Sequence, residues 1–131
     1  MKSRPIKNLV DVLRSIGADI NYMGAEGFPP LKIIGKDLDG GKCSINATVS
    51  SQFISALLLV APYLKNGLSL TLQGHAVSFP YVSMTLRLMK YFGVKASVKR
   101  NMIRVDNQKY KPKKFQIESD WSSASYIYAM V

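Results

Sequence analysis

An α/β fold built from two related units in tandem is what this sequence predicts. Three observations carry that expectation. Alternating stretches such as Leu68-Ser69-Leu70-Thr71-Leu72-Gln73 take turns with stretches apolar at helical spacing, such as Val82, Leu86, Met89 and Phe92. Leu9-Val10-Asp11-Val12-Leu13-Arg14-Ser15-Ile16-Gly17-Ala18 aligns with Thr85-Leu86-Arg87-Leu88-Met89-Lys90-Tyr91-Phe92-Gly93-Val94, in each case a helix, a glycine stop and a strand. Val49-Ser50-Ser51 aligns in the same way with Trp121-Ser122-Ser123, each opening a helix. The order helix, three strands, helix therefore recurs, with one strand between the copies and a shorter loop in the second.

Taken in order, Ser3 is placed to cap a first helix, with Pro5 near its first turn. Leu9, Val12, Leu13 and Ile16 share one face, and Gly17 ends the helix. Residues 18–23 read as a strand, and 24–30 as a loop because Gly-Phe-Pro-Pro continues no regular structure. Strands follow over 31–36 and 42–48, separated by the Asp37-Leu38-Asp39-Gly40-Gly41 turn. A well-buried helix starts at Ser50 and stops near Pro62 to Gly67, and 68–73 is a strand. A loop with His75 and Ser78 leads to a helix opened by Pro80 and ended by Gly93. Strands over 94–99 and 102–106 meet at a tight turn, Arg100-Asn101. A basic loop spans 107–114, a further strand 115–119, and a last helix 122–131.

At 131 residues, 47% hydrophobic and 20% charged, the chain has the composition of one globular domain with a real core. The longest uniformly apolar run, Ala56 to Ala61, is far short of the roughly 20 residues of a membrane span. Lys2, Arg4 and Lys7 lead into an amphipathic segment, so no signal peptide is expected. One cysteine, Cys43, leaves no intrachain disulfide, fits a reducing cytoplasm and reads as a buried structural thiol. One histidine, one cysteine and unclustered carboxylates argue against a metal site. The net charge of +10 implies anionic partners, and it is uneven: ten Lys/Arg face three Asp/Glu from Arg87 onward.

Four helix starts carry polar groups: Arg4 with Ser3, Ser50-Ser51-Gln52, Ser78 before Pro80-Tyr81, and Ser122-Ser123. A helix start offers unpaired backbone N–H groups and the positive end of the macrodipole, and serine hydroxyls add donors. If several starts converge on one cleft, it attracts phosphate and carboxylate. The plainer reading of Ser50 is a capping residue.

At these residues the sequence resembles the EPSP synthase (3-phosphoshikimate 1-carboxyvinyltransferase) family. The motifs are Arg4-Pro5-Ile6 leading into Leu9-Val10-Asp11-Val12-Leu13, Phe28-Pro29-Pro30-Leu31, Val49-Ser50-Ser51-Gln52-Phe53-Ile54-Ser55-Ala56-Leu57-Leu58, Val77-Ser78-Phe79-Pro80-Tyr81 with Thr85-Leu86 and Met89, and Asp120-Trp121-Ser122-Ser123-Ala124-Ser125-Tyr126. The resemblance spans nearly the whole chain. It implies βαβαββ-type units of the enolpyruvyl transferase fold, forming part of one domain of a two-domain enzyme. Residues 1–119 would be two units of the first domain, and 120–131 a crossover helix toward a second domain missing here. It also implies transfer of the enolpyruvyl group of phosphoenolpyruvate to shikimate 3-phosphate, with no metal or organic cofactor, in the shikimate pathway.

Residue by residue, the resemblance assigns Ser50, Ser51 and Ser78 to the phosphate of shikimate 3-phosphate. Gln52 falls between the two substrates, Tyr81 at the shikimate side, and Arg4 on phosphoenolpyruvate. Asp120, Ser122 and Ser123 read as capping or hinge residues, and Trp121 stands where the family often has a small residue. By this resemblance the family's N-terminal lysine, serine and arginine segment, the glycine-rich segment that precedes Arg4, and the second domain are expected to lie outside this stretch. The eight carboxylates fall in turns or on exposed faces, so no general acid or base is expected here and the fragment alone is expected to be inactive. Two other readings stand beside this one. A sister transferase acting on a UDP-sugar would need Cys43 exposed and reactive. A basic nucleic-acid-binding module would need aromatics interleaved with the cations on one face, and no nucleic acid is expected as a partner.

Overall fold

β4 (Leu68–Gln73) is the strand around which the larger sheet is built. Its alternation sends Leu68, Leu70 and Leu72 to one side, where all three are buried. The computed structural model describes residues 3–48, 50–74 and 79–130. On one side of β4 runs β3 (Gly41–Asn46), parallel to it, with Cys43 opposite Leu70 and Ile45 opposite Leu72. On the other runs β6 (Met102–Val105), antiparallel, with Leu70 opposite Ile103. β5 (Ala96–Lys99) closes the order β3-β4-β6-β5.

A parallel pair needs a crossover connection, which α2 (Ser51–Val60) supplies between β3 and β4. α3 (Phe79–Tyr91) then leads from β4 to the β5–β6 hairpin. Residues 41–105 thus form one complete βαβαββ unit. Ile54, Leu57 and Leu58 of α2 and Val82 and Met89 of α3 pack with the leucines of β4 into a single core. α2 is apolar enough to be buried on most of its circumference, and α3 packs alongside it.

Before this unit come α1 (Lys7–Ser15), β1 (Asp19–Tyr22) and β2 (Leu31–Ile34), the last two an antiparallel pair. Their order repeats that of α3, β5 and β6. Both helices end in the same motif. Gly17 N–H donates to Arg14 O and Ala18 N–H to Leu13 O, and Gly93 N–H donates to Lys90 O and Val94 N–H to Met89 O. The loop between the paired strands shortens from 23–30 to 100–101.

Two expectations are corrected. Ser3 does not cap α1. The helix starts at Lys7 behind Ile6 with no side-chain cap, and the Ile6 N–H instead donates to Gly27 O at 2.8 Å. A loop carbonyl fixes the entry of the chain, so the helix begins where that bond allows. Residues 115–119 form no strand. β3, which holds the corresponding place before α2, is a strand because β4 follows that helix and pairs with it. Among the described residues nothing after α4 (Trp121–Tyr128) does the same for 115–119.

The basic segment 107–114 is strapped over the last turns of α2 and α3. Tyr110 Oη donates to Leu59 O at 3.0 Å, Lys111 N–H to Phe92 O at 2.7 Å, and Tyr91 Oη to Lys114 O. Lys113 lies over the Tyr91 ring at 5.1 Å, and Phe115 packs on Tyr91 and Phe92. Cations there meet the negative ends of two helices. The aromatics among them, Tyr91, Phe92 and Phe115, pack edge-on or tilted against one another.

Two predictions follow from this packing. Gly67 has φ +63°, and a Cβ built there would lie 2.2 Å from Val105 O. Gly67→Ala should therefore lower stability by about 1–3 kcal/mol in urea denaturation, and a midpoint equal to the parent would contradict the close approach. Cys43 is half-buried in β3, and burial pushes its thiol from 9.0 up to about 11. At pH 8 its thiolate fraction should be about a hundredfold below that of an ordinary thiol. Reaction with an aromatic disulfide reagent should be slow in the native protein and rise on unfolding. Fast native reaction at pH 8 would refute the structural reading of Cys43.

Candidate functional site

β3 gives way to α2 through a short rigid turn. Asn46 Oδ1 accepts from the Thr48 N–H at 2.9 Å and from Thr48 Oγ1 at 2.7 Å. Ser50 is extended (φ −166°, ψ 123°), and its Oγ accepts from the Gln52 N–H at 3.2 Å. The capping reading of Ser50 is therefore observed. It leaves the hydroxyl proton available to a further acceptor.

Two clefts meet at this helix start. The larger, of about 600 Å³, is lined by Ser51, Gln52 and Ser55 of α2 and by Tyr81, Met84 and Thr85 of α3. The smaller, of about 380 Å³, is lined by Arg4, Pro5, Pro29, Ser50, Gln52 and Phe53. Gln52 is on the wall of both. Of the polar residues expected at the helix starts, Arg4 before α1, Ser50, Ser51 and Gln52 at α2, and Tyr81 in the first turn of α3 line these two clefts. The start of α4 lines neither cleft. There Asp120 Oδ1 accepts from the Ser122 N–H at 2.9 Å and Oδ2 from Ser123 Oγ at 2.8 Å. Those bonds, that to Ser123 foremost, hold the Asp120 carboxyl below its usual range, and they match the capping role read for it. Ser78 and His75 lie outside the described residues.

The charge of this rim is one-sided. All eight carboxylates of the chain are exposed, and none lines either cleft. Glu26 is engaged with Lys7 at 2.9 Å, which lowers its carboxyl, and Asp39 and Asp106 pair with Lys65 and Arg104. Among the described residues Arg4 has no carboxylate partner. A free guanidinium, the positive end of α2 and several hydroxyls suit small anions. Among the described residues no group of three metal-binding side chains forms, and no helix is long and apolar enough to cross a membrane.

Ser55 and Thr85 are the polar cleft residues to which the sequence reading gave no role. Their signal was spacing: each stands one helical turn beyond a residue that it did single out, Ser51 and Tyr81.

The family profile described as EPSP synthase (3-phosphoshikimate 1-carboxyvinyltransferase) matches residues 1–131. The 3-phosphoshikimate 1-carboxyvinyltransferase of Bacteroides fragilis is 53% identical over 129 residues, which are 98% of this chain and 32% of that protein. That of Photobacterium damsela subsp. piscicida is 47% identical over 141 residues, 98% of this chain and 31% of its own length. The chain thus spans about a third of these relatives. Among solved structures, EPSP synthase from Acinetobacter baumannii superposes with a TM-score of 0.75 at 28% identity, over 95% of this chain and 27% of its own. The enolpyruvyl transferase NikO from Streptomyces tendae shares the fold at a TM-score of 0.50 and 16% identity, over 76% of this chain and 22% of its own. By the profile that matches it from end to end, and by a 53% identical relative, this chain belongs to the EPSP synthase family.

Proposed function

We propose that this chain is part of an enzyme that moves the enolpyruvyl group of phosphoenolpyruvate to shikimate 3-phosphate and releases phosphate. Residues 1–119 supply two repeat units of its first domain, and 120–131 begin the crossover toward its second. The observation that carries the reading is the position of Gln52 on the wall shared by two clefts, one bearing Ser51 and Tyr81 and the other Arg4 and Ser50. A reaction that joins two anionic substrates needs two adjoining anion sites and a group between them that can donate to one and accept from the other. An amide does both.

In this reading Ser51 and Ser78, joined by Ser50 from the rim of the neighbouring Arg4 cleft, hold the phosphate of shikimate 3-phosphate with the α2 start behind them. Tyr81 borders the sugar-like ring, and Arg4 grips phosphoenolpyruvate through its planar fork. The chain's contribution is to bind and orient. Proton transfer belongs to groups in the parts of the enzyme this chain does not contain, so the chain alone does not turn over. The parent enzyme works in the cytoplasm without a metal or organic cofactor. Support for a thiol-independent chemistry comes from Cys43, whose burial keeps it protonated, whereas a UDP-sugar transferase of this fold would use an exposed, reactive cysteine.

Steady-state kinetics of the full-length enzyme test this. Ser51→Ala should raise the KM for shikimate 3-phosphate by about tenfold or more, the loss of a hydrogen bond to a charged group. Gln52→Ala should raise both KM values, and Arg4→Lys chiefly that for phosphoenolpyruvate. Ser50→Ala should in addition lower stability by about 1 kcal/mol through the lost cap. Unchanged KM values in Ser51→Ala and Gln52→Ala would overturn the assignment.

A further inference from the structure

We propose that Thr85 is a positioning residue: its hydroxyl sets the spacing between the α2 and α3 walls of the larger cleft, and through it the binding of the phosphorylated substrate. This rests on the site reading above. Thr85 is the one buried polar residue among those described, at 7% exposure. Its Oγ1 lies 2.9 Å from Ser55 Oγ across the helix–helix contact and 3.1 Å from Tyr81 O on its own helix. Both hydroxyls line the larger cleft. Ser55 stands one turn beyond Ser51, and Thr85 one turn beyond Tyr81. The contact therefore ties the two walls together one turn beneath the residues that face the ligand.

The chemistry of the pair makes it directional. The Tyr81 carbonyl can only accept, so it takes the single Thr85 proton, and Thr85 Oγ1 is left to accept from the Ser55 hydroxyl. Ile54 and Leu58 of α2 and Val82 and Met89 of α3 belong to one apolar core, and such contacts, unlike a hydrogen bond, have no preferred direction. A valine would fill the same volume as Thr85. What it would lose is the one bond across the helices that has a preferred length. It would also free the Ser55 hydroxyl to turn into the cleft.

Three variants of the full-length enzyme test the proposal: Thr85→Val, Thr85→Ser and Ser55→Ala. Steady-state kinetics and thermal unfolding are the measurements. Thr85→Val should raise the KM for shikimate 3-phosphate about fivefold, the effect of one neutral hydrogen bond, and leave that for phosphoenolpyruvate within about twofold. Thr85→Ser, which keeps the hydroxyl, should stay within about twofold of the parent on both. Ser55→Ala should match Thr85→Val, and the double variant should be no worse than either, because both remove the same contact. If Thr85→Val folds poorly, Thr85→Ser and the less buried Ser55→Ala carry the test.

An unchanged KM in both Thr85→Val and Ser55→Ala overturns the proposal. So does an equal rise in Thr85→Val and Thr85→Ser, or effects that multiply in the double variant. Ser51→Ala is measured alongside. If it too leaves the KM for shikimate 3-phosphate unchanged, the site reading fails and the positioning role fails with it. A raised KM in Ser51→Ala with no change in Thr85→Val and Ser55→Ala sinks the positioning role alone.

Discussion

The parallel pairing of β3 with β4 is the constraint on which the rest of this structure depends. Parallel neighbours cannot be joined by a hairpin, so the chain must leave the sheet and return, and α2 is that return. Because the two strands run the same way, their carboxyl ends lie at one edge of the sheet. The helix that follows each strand therefore starts at that edge. α2 begins after β3 and α3 after β4, which brings Ser51 and Gln52 opposite Tyr81. This is the place where open α/β sheets generally bind ligands. The pairing continues past the strands proper, with the Ala47 N–H donating to Gln73 O at 2.9 Å, so the edge that carries the site is held to its end.

The same geometry explains where the charge goes. Helices that start at one edge end at the other, and there the carbonyl ends of α2 and α3 are covered by the 107–114 strap with its lysines. None of the Lys/Arg residues from Arg87 onward lines either cleft. The attraction of the rim for anions comes from fewer and better placed sources: Arg4, the α2 start and the hydroxyls. Net charge suggests anionic partners but does not by itself say where on the molecule they would sit.

What was legible in the sequence was local. The alternation of β4, the helical spacing of α3 and the glycine stops at Gly17 and Gly93 each depend on a few neighbouring residues, and each formed as read. Residues 115–119 alternate as convincingly as a strand does. Alternation describes a face and not a partner, and a strand exists only when another strand completes its hydrogen bonds. The entry of α1 failed for a related reason: Gly27, which fixes it, is about twenty residues away in the chain. At the site, the cap at Ser50 was legible because it is set within one turn. That Gln52 would serve two clefts was not, because one wall comes from Arg4 and Pro29 and the other from α3. Thr85 stands in a quoted motif but drew no role of its own, because patterns of apolar residues pass over a threonine at a core position.

The composition of the two clefts also divides the chemistry. A surface that binds anions is best built without carboxylates, since each would repel the ligand and weaken its partner's positive field. Proton transfer needs the opposite, an acid or base within hydrogen-bond reach of the reacting atom. One small rim serves both demands poorly. Here the eight carboxylates are kept out of the clefts altogether, several of them in surface ion pairs. A rim of this kind presents its donors with no carboxylate among the residues that line it, and electrostatics alone is reason enough for that arrangement.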